Sequence, residues 1–140
     1  MSRRASNDVG NAVTETVLVV PVLLLVVLFV VFVGRISSTN HDIAAAARDA
    51  ARAASVASTI DEATVAAQET AARALGEQHV RCNTLIVDVD TNGFTADGNV
   101  AVDISCTVSL ADVAGLLVPG SATLHSRAVE VVDRYRGGLP

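Results

Sequence analysis

Early in the chain the polar positions disappear. From Val17 to Val33 the sequence reads VLVVPVLLLVVLFVVFV, without a charge or a polar side chain. A helix of that length spans roughly 26 Å, and Thr16 and Gly34 bring it close to the ~30 Å of a bilayer core. A helix apolar all round is either a membrane span or the buried centre of a larger protein. Three Phe, one Tyr and no Trp in 140 residues make a poor wrapping for a central helix. The pattern therefore predicts a transmembrane helix over 11–34, with Val17, Pro21, Leu24, Phe29 and Val33 within it. Pro21 does not count against this reading, because it is expected in the first turns, where its missing N–H has little or no intrahelical partner.

Beyond Arg35 a short polar stretch, Ser37 to Asp42, leads into IAAAARDAARAASVAS. Ala, Arg and Asp without Gly or Pro favour helix, so the first helix continues or restarts here. Ile43, Ala47, Ala50, Ala51 and Ala54 share one stripe of small residues that lets another element come close. Two uses remain open for it: packing against the protein's own domain, and packing against neighbouring subunits. Thr59 and Glu62 have capping-box spacing and predict a second helix closed by Gly76 or soon after, its Glu62, Glu69 and Arg73 forming a solvated face. Past His79 the period drops to two. Leu85, Val87 and Val89, then Val100, Val102, Ile104, Cys106 and Val108, predict two strands, with Asn92-Gly93 and Asp97-Gly98 as turn dipeptides of an antiparallel hairpin. LADVAGLLVPG reads as a short helical or irregular crossing, and Ala122 to about Asp133 as a third strand. The expected fold is α+β: a long N-terminal helix (transmembrane, then Ala-rich), a second helix and a small antiparallel sheet of about three strands. The expected segments are 1–10, 11–34, 35–80 and 81–140.

Composition narrows the function. The net charge is −5 and every basic residue is Arg, so a nucleic-acid surface is not expected. Cys82 and Cys106 have no C-x-x-C spacing and no neighbouring His, which speaks against zinc; in an exported domain an even pair is expected to form a disulfide. Their parities disagree if the hairpin strands are regular, so Cys82 must precede the strand or follow a bulge. Asp88-Val89-Asp90-Thr91-Asn92-Gly93 imitates the start of a calcium loop. Asn99 stands where the bidentate Glu belongs, however, and strands flank it, so Asp88, Asp90 and Asn92 read as hairpin residues and no metal is expected. His41, His79 and His125 lie in no catalytic motif, and neither an enzyme nor a cofactor is expected.

The residues before the apolar run decide between anchors. The chain opens MSRRASNDVG, then Asn11-Ala12-Val13-Thr14-Glu15. A secretory signal peptide would share the basic start, but the apolar run exceeds its ~7–15 residues and no A-x-A-like site follows. Glu15 at the edge of the hydrocarbon needs a partner. Gly10 followed five positions later by Glu15, Val20-Pro21-Val22-Leu23-Leu24, and the Ala44–Arg52 run together resemble the TadE-like family of the tight-adherence (Flp-type) pilus apparatus. The likeness extends more weakly through Cys106, Pro119-Gly120-Ser121 and Ala128. Thr16 departs from it, an aromatic residue being common after the Glu.

The resemblance implies a pseudopilin or minor pilin. A membrane prepilin peptidase would cut between Gly10 and Asn11, and Glu15 would serve assembly. Partners would be the lipid bilayer, the peptidase, other pilin-like subunits and the pilus assembly machinery. The chain would cross a bacterial cytoplasmic membrane once, N-terminus inside and the C-terminal domain outside. The alternative is an uncleaved, single-pass, surface-anchored binding module.

Overall fold

Ala, Arg and Asp after the apolar run extend the first helix without interruption. A computed structural model of the chain describes residues 8–115 and 117–135, with side chains from Val17 onward except Ala114. The elements are α1 (Asp8–Ser55), α2 (Ile60–Glu77), β1 (Thr84–Asp90), β2 (Asn99–Ser109), α3 (Leu110–Ala114) and β3 (Ser121–Val131). The architecture is α+β, and the chain divides into two units, Met1–Gly34 and Arg35–Pro140.

In the first unit the described structure is helix alone. Because α1 begins at Asp8, Pro21 is an interior residue and not a first-turn one. It withholds an amide from the carbonyl four residues back, at Val17, a loss that membrane helices tolerate better than soluble ones.

In the second unit the polar stretch after Arg35 stays helical, and the Thr39 hydroxyl donates to the Arg35 carbonyl at 3.1 Å. Ile43, Ala46, Ala47, Ala50, Ala51 and Ala54 then lie fully buried. Ala63, Ala67, Ala71, Ala74 and Leu75 are the buried positions of α2. These two faces and the inner side of the sheet form one core. The small-residue stripe of α1 is thus spent inside its own domain, which closes one of the two uses left open above.

The sheet runs β1-β2-β3, antiparallel throughout. Leu85 faces Cys106, Val87 faces Ile104 and Val89 faces Val102, so the alternation read from the sequence places one apolar row inside. On the other side Val102 faces Ala128 and Cys106 faces Leu124. The outer face is polar: Arg127 reaches Asp103 at 2.8 Å, His125 Nδ1 and Ser105 Oγ are 3.0 Å apart, and the Thr107 and Thr123 hydroxyls are 3.0 Å apart. Val129 and Val131 stand exposed on it.

The 91–98 connection folds on itself. The Gly93 carbonyl accepts from the amides of Thr95 (2.8 Å) and Asn99 (3.0 Å), and Phe94 is buried in the core. A Cβ at Gly98 would fall 2.1 Å from the Gly93 carbonyl oxygen, so only glycine fits there. The residues after β3 clasp this loop and the end of α1. Val132 N–H donates to Gly98 O (2.8 Å), Asp133 N–H to Ser55 O (3.0 Å), and Arg134 forks onto the Asp97 carboxylate (Nε to Oδ2, 3.0 Å).

Both ends of α2 are capped, one of them unexpectedly. The Thr59 hydroxyl accepts from Glu62 N–H (3.2 Å), while the Glu62 carboxylate turns back to Ser58 N–H (3.0 Å), one residue beyond the usual capping-box donor. At the other end Gly76 is inside the helix, and the left-handed position falls on His79, at φ 58. Val80 N–H donates to Leu75 O (3.0 Å) and His79 N–H to Gly76 O (3.1 Å), the two bonds of a Schellman motif. A side chain in that conformation carries strain that glycine relieves, less glycine's greater unfolded-state entropy. His79→Gly is expected to stabilise the domain by about 0.5–1 kcal/mol, read from the midpoint of urea unfolding.

Candidate membrane and assembly segment

The span predicted from the sequence is laid bare by the structure. Val17, Leu24, Phe29 and Val33 all present about half or more of their surface, Pro21 is exposed too, and of 17–33 only Phe32 is half-buried. None of the most apolar window of this helix is buried, and it is long and apolar enough to cross a membrane. A core helix would have been covered. An unbroken apolar cylinder in water would be an aggregation surface, whereas in lipid its backbone is satisfied within the helix and its side chains match their solvent.

Gly10, Asn11 and Glu15 fall within the bounds of α1, but their side chains lie outside the described residues, as do residues 1–7 of the expected leader. Cys82 and Cys106 are joined in a disulfide with Cα atoms 5.3 Å apart. The parity conflict is resolved in the first of the two ways foreseen: Cys82 precedes β1, and the ladder is entered only at Asn83, whose N–H donates to Thr107 O (2.7 Å).

The calcium-like run is taken up by protein contacts. Asp88 sits exposed on β1 opposite Asp103. Asp90 Oδ1 accepts from both the backbone N–H (3.1 Å) and the side-chain amide (2.8 Å) of Asn92, and Asp90 Oδ2 is 3.7 Å from Arg127. Among the described residues no three His, Cys, Asp or Glu side chains are grouped to hold a metal. His41, His79 and His125 are exposed and dispersed. A feature that the periodicity did not single out is the β2–β3 connection, whose Leu117 is wholly exposed; the signal available was an apolar Leu-Leu-Val run between Gly115 and Pro119.

With this geometry in place the comparison with known families is informative. The family model described as TadE-like protein matches residues 10–52. That stretch, less than a third of the chain, is what is similar to TadE-like proteins. The matched stretch lies within α1, running from Gly10 through Glu15 and the apolar span to Arg52, and includes none of the sheet. No curated protein and no solved structure matches the chain.

Proposed function

We propose that the protein is a minor pilin or pseudopilin of a Flp-type pilus or a related secretion assembly. The observation that carries this reading is the TadE-like match lying on a helix whose most apolar window has no buried residue. Such a helix is stored in the bilayer and drawn into an assembly, exchanging lipid for neighbouring helices, while the domain from Arg35 onward decorates or caps the product. Arg3 and Arg4 before the span favour a cytoplasmic N-terminus and an exported domain, against Arg35 after it. The disulfide supports an oxidising compartment for that domain.

Processing follows from the same reading. A prepilin peptidase cuts after Gly10, where the absence of a side chain lets the backbone enter a protease extended. The freed amine of Asn11, on the same or an adjacent subunit, then offers Glu15 an opposite charge. An unpaired carboxylate drawn to the bilayer centre would cost up to about 2.5–3.5 kcal/mol, so the pairing also sets the axial register of neighbouring helices. N-terminal sequencing of protein from hosts with and without their prepilin peptidase is the test. The mature chain is expected to begin at Asn11 only when the peptidase is present, and Glu15→Ala is expected to leave cleavage intact and abolish assembly. A chain that still begins at Met1 or Ser2 in the native host overturns the reading in favour of an uncleaved surface-anchored module.

A further inference from the structure

In the order β1-β2-β3 the two outer strands each keep a free side. Among the described residues no backbone hydrogen bond joins 84–90 or 122–131 to anything but β2. Such an edge is a template for another strand, and proteins commonly guard it with lysine, proline or a bulge. β3 has none of these: its eleven pairs with β2 run without a break, and SATLHSRAVEV holds neither Pro nor Lys. Two bonds set the phase of the edge. Leu110 N–H donates to Gly120 O (3.0 Å) at one end of β3 and Val132 N–H to Gly98 O (2.8 Å) at the other, so the even-numbered residues between bond to β2 and the odd-numbered ones turn N–H and C=O to the open side. On β1 the parity is reversed. Thr84, Ile86, Asp88 and Asp90 bond to β2, and Leu85, Val87 and Val89 turn outward.

The two edges fit each other. Both strands are antiparallel to β2 and therefore parallel to one another, and in a parallel pair the outward-bonding residues of one strand lie opposite the inward-bonding residues of its neighbour. Thr123, His125, Arg127 and Val129 meet this condition against Thr84, Ile86, Asp88 and Asp90 of a second copy set beside the first at the same level, since each of these pairs already shares a row across β2. Charge selects the partner edge. Asp88 is exposed, faces Asp103 in its own sheet and has no cationic partner among the described residues. Arg127, on the open edge of β3, can take up that carboxylate from the second copy on one side while holding its own Asp103 at 2.8 Å on the other. The outer face of β3 carries no carboxylate and that of β1 no cation, so a contact of β3 with β3, or of β1 with β1, leaves both charges unmatched. On the inner face the same register sets half-buried Leu124 against half-buried Leu85.

We propose that the β3 edge of one copy binds the β1 edge of a second copy in parallel, Arg127 against Asp88, so that the sheets join head to tail. Such a contact uses two different surfaces and leaves a free edge at each end, which lets it extend beyond a dimer. It lies wholly within the domain from Arg35 onward and does not depend on where the leader is cut, so cross-linking and N-terminal sequencing give independent answers. Ile86 and His125 are exposed and share a row, with Ser105 between them. Two strand spacings, about 10 Å, exceed the ~7 Å that a disulfide spans, so cysteines at these two positions join only between copies. Full-length Ile86→Cys and His125→Cys chains, differently tagged, would be co-expressed in membranes and oxidised with copper phenanthroline, the Cys82–Cys106 bridge being kept. The expected result is mixed dimers in several-fold excess over dimers of either variant with itself, and a ladder of longer oligomers from a chain carrying both substitutions. Asp88→Arg, which in its own chain gains Asp103 as a neighbour, is expected to lower the mixed yield several-fold. Mixed dimers no more abundant than random collision gives overturn the proposal. So does a predominance of His125→Cys chains joined to each other, which would assign the edge to a β3-to-β3 contact, or a mixed yield that Asp88→Arg leaves unchanged.

Discussion

Reduction of the Cys82–Cys106 disulfide is expected to lower the stability of the domain by about 3.5 kcal/mol, from the loop entropy restored to the unfolded chain. The two cysteines are 24 positions apart, and Cys106 lies at the fully buried centre of β2 while Cys82 sits at the entrance to β1. The bridge therefore closes the hairpin at the end opposite its 91–98 loop. A domain of this size is held by a total of roughly 5–15 kcal/mol, so the loss is a large share of it. Urea unfolding of the full chain in detergent, followed by circular dichroism with and without reductant, measures it directly. A Cys82→Ala/Cys106→Ala double variant should match the reduced protein, and an unchanged midpoint in both would show that the bridge does not stabilise the fold.

Enlarging the alanine face of α1 is expected to have the other large effect. Ala50 has no exposed surface and belongs to the core shared by α1, α2 and the sheet. Ala50→Leu adds three carbon atoms where the surroundings are close-packed, and overpacking of this kind costs about 1–3 kcal/mol. Arg48→Leu, two residues back on the exposed side of the same helix, should stay within about 0.5 kcal/mol. Equal effects in the two variants would mean that the stripe does not pack inside the domain and would restore the reading in which it meets other subunits.

Much of the fold was legible because its signals are local. The period-two runs of β1 and β2 have one solution that buries Leu85, Val87 and Val89 with Val102, Ile104 and Cys106, and the register follows from it. Thr59 and Glu62 announced the start of α2 through a bond spanning three residues. The end of that helix, expected at Gly76 or soon after, falls at Glu77, but the residue that turns the chain there was not legible in the same way. Leu75 is drawn into the core and Val80 bonds back to it, which puts the left-handed position on His79 and not on a glycine. The role of the alanine stripe was undecidable from the sequence, since small residues suit any close neighbour. The candidate site, the apolar span, is a compositional signal and could be read directly, whereas the bond from Asp133 N–H to Ser55 O joins positions 78 apart in the chain, and no periodicity encodes it.

The clasp formed by Val132, Asp133 and Arg134 bears on when the domain can form. A chain is made N-terminus first. Val132 has no exposed surface, and the amides of Val132 and Asp133 close onto Gly98 and Ser55, so the core lacks its last wall until residue 133 has been made. The closure of Asp133 onto Ser55 joins positions 78 apart, and such distant pairings slow folding. The hairpin of β1 and β2 needs nothing beyond Ser109, so Cys82 and Cys106 can meet while the rest is still arriving. The layout thus lets the cross-link form ahead of final closure.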